Sequence, residues 1–176
     1  MVRQGLFRHL VNCCIDNETA AAIAALEHLE ELSVWLEDQR SYDTLLTCRS
    51  ELTRAQIFTV YSSVLRHSLM WRAGNLVLVN GVVSCQSGTC NPHVDHLKVD
   101  AQFVGFGTLL PRLQNLEIFD VESGVLYDNL QTVLSFCPKV ETLTTLYHPR
   151  LEVDGSAPRW SSSCYDFGRK EWFLQD

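Results

Sequence analysis

Four nine-residue segments of the chain superpose on one another without gaps: L-E-H-L-E-E-L-S-V (Leu26 to Val34), N-P-H-V-D-H-L-K-V (Asn91 to Val99), L-P-R-L-Q-N-L-E-I (Leu110 to Ile118) and C-P-K-V-E-T-L-T-T (Cys137 to Thr145). Each follows one scheme: Leu or Val, two polar residues, Leu, one polar residue, then a β-branched residue. Three of the four carry proline at the second position, as Pro92, Pro111 and Pro138. A weaker fifth copy is A-G-N-L-V-L (Ala73 to Leu78), and a sixth candidate lies around Phe7 to Asn12. A repeated unit this short cannot bury its own apolar face, so it constrains the chain to stack its units side by side.

The intervals between first aligned apolar positions are 21 (Ala73 to Val94), 19 (Val94 to Leu113) and 27 (Leu113 to Val140) residues. They fall near the roughly 20–29-residue period of leucine-rich repeats. From Leu29 to Ala73 the interval is 44 residues, either two periods or one with an insertion. The Leu-x-β-branched pair alternates with period two and predicts a short half-buried strand. Between strands the pattern predicts helices. One is capped by Asn17 or Thr19 with an inward stripe of Ala22, Ala25, Leu26 and Leu29; another runs from Tyr127 to Phe136. Pro138 and Pro111 stop the helices before them, since proline disfavours helical geometry in the preceding residue. Each unit thus reads as helix, proline stop, strand.

Two regions depart from the scheme. Leu52 to Met70 reads as one or two helices, with Ile57, Val60, Tyr61, Val64, Leu65 and Leu69 on one stripe, making residues 42–72 a helical insertion. The tail from Ser156 carries Trp160, Tyr165, Phe167, Trp172 and Phe173, too aromatic for a free linker. It reads as a cap on the open end of the stack. The expected organisation is one domain: an N-terminal unit or cap over 1–25, repeats over 26–153, and an aromatic C-terminal cap over 154–176. A chain of 176 residues can bury roughly 70% of its unfolded surface, enough for a core without staples.

Charge and cysteine usage narrow the function classes. A formal charge of -7 with scattered Arg and Lys does not provide the concentrated basic surface that phosphate binding needs, so nucleic acid is not the expected partner. No stretch reaches the roughly 18 apolar residues of a membrane span, and the N-terminal residues lack a secretory pattern. Seven cysteines, two of them adjacent at Cys13 and Cys14, then suggest reduced thiols in a cytoplasmic or nuclear protein.

The segments L-L-P-R-L-Q-N-L-E-I-F-D-V and L-S-F-C-P-K-V-E-T-L-T-T-L resemble the cysteine-containing leucine-rich repeats of F-box proteins. The resemblance covers roughly Leu26 to Val153 with gaps and is densest from Pro92 to Leu146. It implies a short curved α/β solenoid, with a parallel sheet on the concave side and helices outside, that binds other proteins. It also implies, as an alternative, a substrate receptor of an F-box-type ubiquitin ligase with a Skp1-type adaptor as second partner. No F-box helix set stands upstream; Leu52 to Arg72 has the apolar density but sits inside the array.

S-C-Q-S-G-T-C-N-P-H-V-D-H (Ser84 to His96) brings together Cys85, Cys90, His93 and His96, the ligand types of a tetrahedral zinc site. The repeat explains the same letters without a metal. His93 and His96 fall on variable positions, where other units carry Arg112 and Asn115, or Lys139 and Thr142. A zinc-stabilised protein centred on these four residues is therefore the minor alternative. The expectation is no cofactor.

Catalytic signatures are missing. The chain has no G-x-S-x-G elbow, P-loop or H-E-x-x-H, and Gly105-x-Gly107 lacks the third glycine of a dinucleotide fingerprint. Glu30-Glu31 and Glu37-Asp38 read as solvated charge. The expectation is no enzyme, but a module that binds a protein through the sheet face opposite the buried Leu and Ile. That face would carry Ser33, Trp35, Val77, Val79, Lys98, Asp100, Glu117, Phe119, Thr144 and Leu146. Its apolar members, rimmed by Lys98, Asp100 and Glu117, suit a protein-binding hot spot, unless an insertion, a loop or the aromatic tail covers them.

Overall fold

The repeated Leu positions fall opposite one another in a single sheet. The structure, a computed structural model, describes residues 8–60, 65–84, 86–103, 107–119, 130–147, 161–166, 168–169 and 171–175. In chain order the elements are β1 (His9–Ile15), α1 (Asn17–Ala24), β2 (Glu31–Leu36), α2 (Gln39–Leu46), β3 (Leu52–Thr59), β4 (Arg66–Ser68), β5 (Ala73–Ser84), β6 (Thr89–Cys90), β7 (His96–Phe103), β8 (Thr108–Leu109), β9 (Asn115–Ile118), α3 (Leu130–Phe136), β10 (Thr142–Tyr147), β11 (Ser161–Asp166) and β12 (Glu171–Gln175). The sheet order is β1-β2-β3-β5-β7-β9-β10-β11-β12, parallel as far as β10 and antiparallel through β11 and β12. The fold is α/β with a mostly parallel sheet and few helices.

Strand register reproduces the sequence alignment. Leu10, Leu32, Ala55, Leu76, Leu97, Leu116 and Leu143 form one row across the parallel strands. Val34, Ile57, Leu78, Val99, Ile118 and Thr145 form the next, two residues on, because side chains two apart share a face. From Leu32 onward both rows are buried, in one core with Ala20 and Ile23 of α1, Tyr42 and Leu45 of α2 and Val133 of α3. Burying one Leu of such a row contributes about 1.5–3 kcal/mol.

Three expectations are corrected. Where it is described, the expected helical stretch from Leu52 to Met70 holds strands instead, β3 and β4: β3 fills the row between Leu32 and Leu76, so the 44-residue interval is two periods rather than one with the helical insertion expected over residues 42–72. Its β-branched and aromatic residues (Ile57, Phe58, Thr59) alternate buried and partly exposed, a strand pattern that the apolar density masked. Tyr61 and Val64 lie outside the described residues. Of the expected inward stripe, Leu29 is buried and Leu26 packs against the core, but Ala22 and Ala25 are exposed and within α1 it is Ala20 and Ile23 that face inward; the helix is capped by Asp16, one residue before the expected Asn17. Its carboxylate accepts from the Thr19 N–H at 2.8 Å.

Nor does every unit contain a helix. Leu109 and Leu110 precede Pro111 not as a helix end but as β8 and the residue after it. Chain length supplies the reason. A helix advances about 1.5 Å per residue and a strand about 3.3 Å, so a helical return uses more residues. The 27-residue step from Leu116 to Leu143 holds α3, and the 23-residue step from Leu32 to Ala55 holds α2. The 21- and 19-residue steps from Leu76 to Leu97 to Leu116 return through β6 and β8, which pair with each other. The expected helix from Tyr127 is seen from Leu130 to Phe136, and Pro138 follows in a turn; Tyr127 lies outside the described residues.

The C-terminal segment extends the sheet. β11 pairs antiparallel with β10, and β12 with β11, so the edge of the last parallel strand is occupied. Trp160 and Phe167 of the expected aromatic cap lie outside the described residues, as do the side chains of Tyr165, Trp172 and Phe173.

Candidate functional site: the open face of the sheet

The residues between the buried positions form three rows on the opposite face. The first runs Glu31, Arg54, Asn75, His96, Asn115, Thr142 and is polar throughout. The second runs Ser33, Gln56, Val77, Lys98, Glu117, Thr144. The third runs Cys14, Trp35, Phe58, Val79, Asp100 and is apolar over its middle three strands. Parallel pairing places the members of each row about 4.8 Å apart, so their side chains meet across strands.

Trp35 and Phe58 stack, with ring centroids 4.7 Å apart and planes 18° from parallel. Both are partly exposed, as are Val79 and Phe119. Phe58 belongs to the same patch, although the helical reading of its segment hid it; the signal was its place two residues after Gln56 and one before Thr59. Lys98 joins two neighbours: its Nζ lies 4.3 Å from the Phe119 ring centroid and 3.5 Å from Glu117 Oε2. Both groups of the ion pair are well exposed, so it contributes at most about 1 kcal/mol. Asp100 is exposed and Thr144 partly buried.

Two residues expected outward are buried. Val77 is 8% exposed, its short side chain lying in register between the longer Gln56 and Lys98. Ser33 is 5% exposed, and among the described residues its hydroxyl has no hydrogen-bond partner. The side chain of Leu146 lies outside the described residues.

The polar row is internally bonded. Thr142 Oγ1 donates to Asn115 Oδ1 at 2.7 Å, which leaves Asn115 Nδ2 to donate to His96 Nδ1 at 2.9 Å. Neutral His96 therefore carries its proton on Nε2. At the β1 end, His9 Nδ1 lies 3.2 Å from Glu31 Oε2. The carboxylates read as solvated charge have local tasks: Glu30 pairs with Arg8 at 3.4 Å, and Asp38 caps α2 by accepting from the Ser41 N–H and hydroxyl.

Of the zinc candidates, the three that are described occupy separate settings. Cys85 lies outside the described residues. Cys90 is exposed on β6, and the His93 N–H donates to Asn91 Oδ1. His96 Nδ1 lies 2.9 Å from Asn115 Nδ2 on the neighbouring strand, in the polar row of the open face. Among the described residues no three His, Cys, Asp or Glu side chains converge on a point that could hold a metal.

Nucleophilic chemistry is not favoured at the exposed Cys14 thiol. Slight desolvation, then the charge of Glu37 and the hydrogen bond to it, push the Cys14 pKa up, the reverse of what a reactive thiolate requires. The buried side chain of Asn91 is structural: its Nδ2 donates to the carbonyls of Leu69 and Trp71, which closes the turn into β5. Among the described residues no helix is long and apolar enough to cross a membrane.

No protein-family model, curated protein or solved structure matches the chain.

Proposed function

We propose that the chain is a short curved leucine-rich-repeat solenoid that binds another protein through the open, concave face of its sheet, without catalysis. The supporting observation is the third row, where Trp35, Phe58 and Val79 lie side by side and partly exposed on consecutive strands. Aromatic anchors on a rigid sheet lose little side-chain entropy on binding and bury large area, which is how hot spots work. Phe119 extends the patch, while Asp100, Lys98 and Glu117 form a polar rim. The ligase-receptor role needs an adaptor-binding helix set in addition, and the described residues of the apolar segment inside the array carry β3 and β4.

The test is site-specific photo-crosslinking in cells. A crosslinking residue at Asp100 or Arg54, both exposed on the open face, should trap one protein that a probe at Ala22 on α1 does not. Trp35→Asp should abolish the adduct. Equal adducts from both faces, or none from the open face, would sink the proposal.

A further inference from the structure

We draw no further inference here: the strongest candidate, the apolar row of Trp35, Phe58 and Val79 across the open face of the sheet, belongs to the site already described, and nothing in the structure shows what covers it.

Discussion

The side-chain amide of Gln39 binds both backbone groups of Arg66: Oε1 accepts from the Arg66 N–H at 2.8 Å, and Nε2 donates to the Arg66 carbonyl at 3.2 Å. One turn on, the Tyr42 hydroxyl accepts from the Ser68 N–H at 2.7 Å and from the Trp71 indole at 2.9 Å, and donates to the Ser68 carbonyl at 3.3 Å. Arg66 and Ser68 present these groups on the side of β4 away from β5, where a further strand would otherwise pair. Helix α2 thus closes a sheet edge with side chains, a form of protection against strand addition.

Tyr42→Phe removes three hydrogen bonds and leaves the buried Trp71 indole without its partner, at a cost of about 2–4 kcal/mol. Gln39→Ala, at a less buried position, costs about 1 kcal/mol. Gln39→Glu keeps the acceptor, loses the donor and falls at or below the alanine variant. Urea midpoints measure all three; a Tyr42→Phe midpoint within error of wild type would contradict the edge closure.

Asn91→Ala strands the carbonyls of Leu69 and Trp71, and should cost about 2–4 kcal/mol. Asn91→Asp is the sharper probe, since it is nearly the same size yet its carboxylate opposes those two carbonyls. It should be at least as damaging at neutral pH and should recover in part under acid. Equal stability of the aspartate and wild-type chains at pH 7 would refute the assignment.

Gly81 and Gly88 form a matched pair for backbone strain. Both have positive φ, +77° and +80°, but a Cβ on Gly81 would lie 2.6 Å from the Leu65 carbonyl oxygen, while one on Gly88 meets nothing within 4 Å. Gly88→Ala should cost about 1 kcal/mol for the left-handed conformation alone. Gly81→Ala adds a clash with backbone at the bulge in β5 and should cost at least twice as much by thermal or urea unfolding. The reverse order would show that the bulge relaxes freely.

His67 sets a pH dependence. It is fully buried, its Nε2 lies 2.6 Å from the Asn80 carbonyl and 3.1 Å from Thr59 Oγ1, and burial lowers its pKa below the usual 6.5. The unfolded chain then binds the proton more readily, so this contribution is complete above about pH 6.5 and is lost as pH falls below it. The N-cap carboxylates Asp16 and Asp38, lowered by their hydrogen bonds to Thr19 and Ser41, contribute above the usual 3.8 and lose their effect only in stronger acid. Stability should therefore fall in two separate windows. His67→Gln should flatten the first and spare the second, and NMR titration of the wild-type imidazole should give a value below 6.5. A value at or above 6.5 would overturn the assignment.

Removal of metal should leave stability unchanged. Purification without chelator or affinity tag, elemental analysis, and urea unfolding with and without EDTA should show no stoichiometric zinc and one common midpoint. About one zinc per chain, with a chelator-sensitive midpoint, would mean that His96 surrenders its bond to Asn115 and that Cys85 completes a site.

The spacing of Leu32, Leu76, Leu97, Leu116 and Leu143 determined the strands and their register, because a buried row in a parallel sheet demands an apolar residue at the same place in every unit. That demand was strong enough to read without neighbours. It failed at β3, where Ala55 stands in the row in place of Leu and the surrounding apolar density matches a helix as well as a strand; only pairing with β2 and β5 decides between them. The return segments were equally open, since whether a unit comes back as helix or strand depends on how many residues remain to span a fixed length. On the open face, alternation identified Trp35, Val79, Lys98 and Phe119, but not Phe58, and not the burial of Ser33 and Val77. Burial there depends on which longer side chains flank a position across the strands, and that information exists only in the tertiary structure.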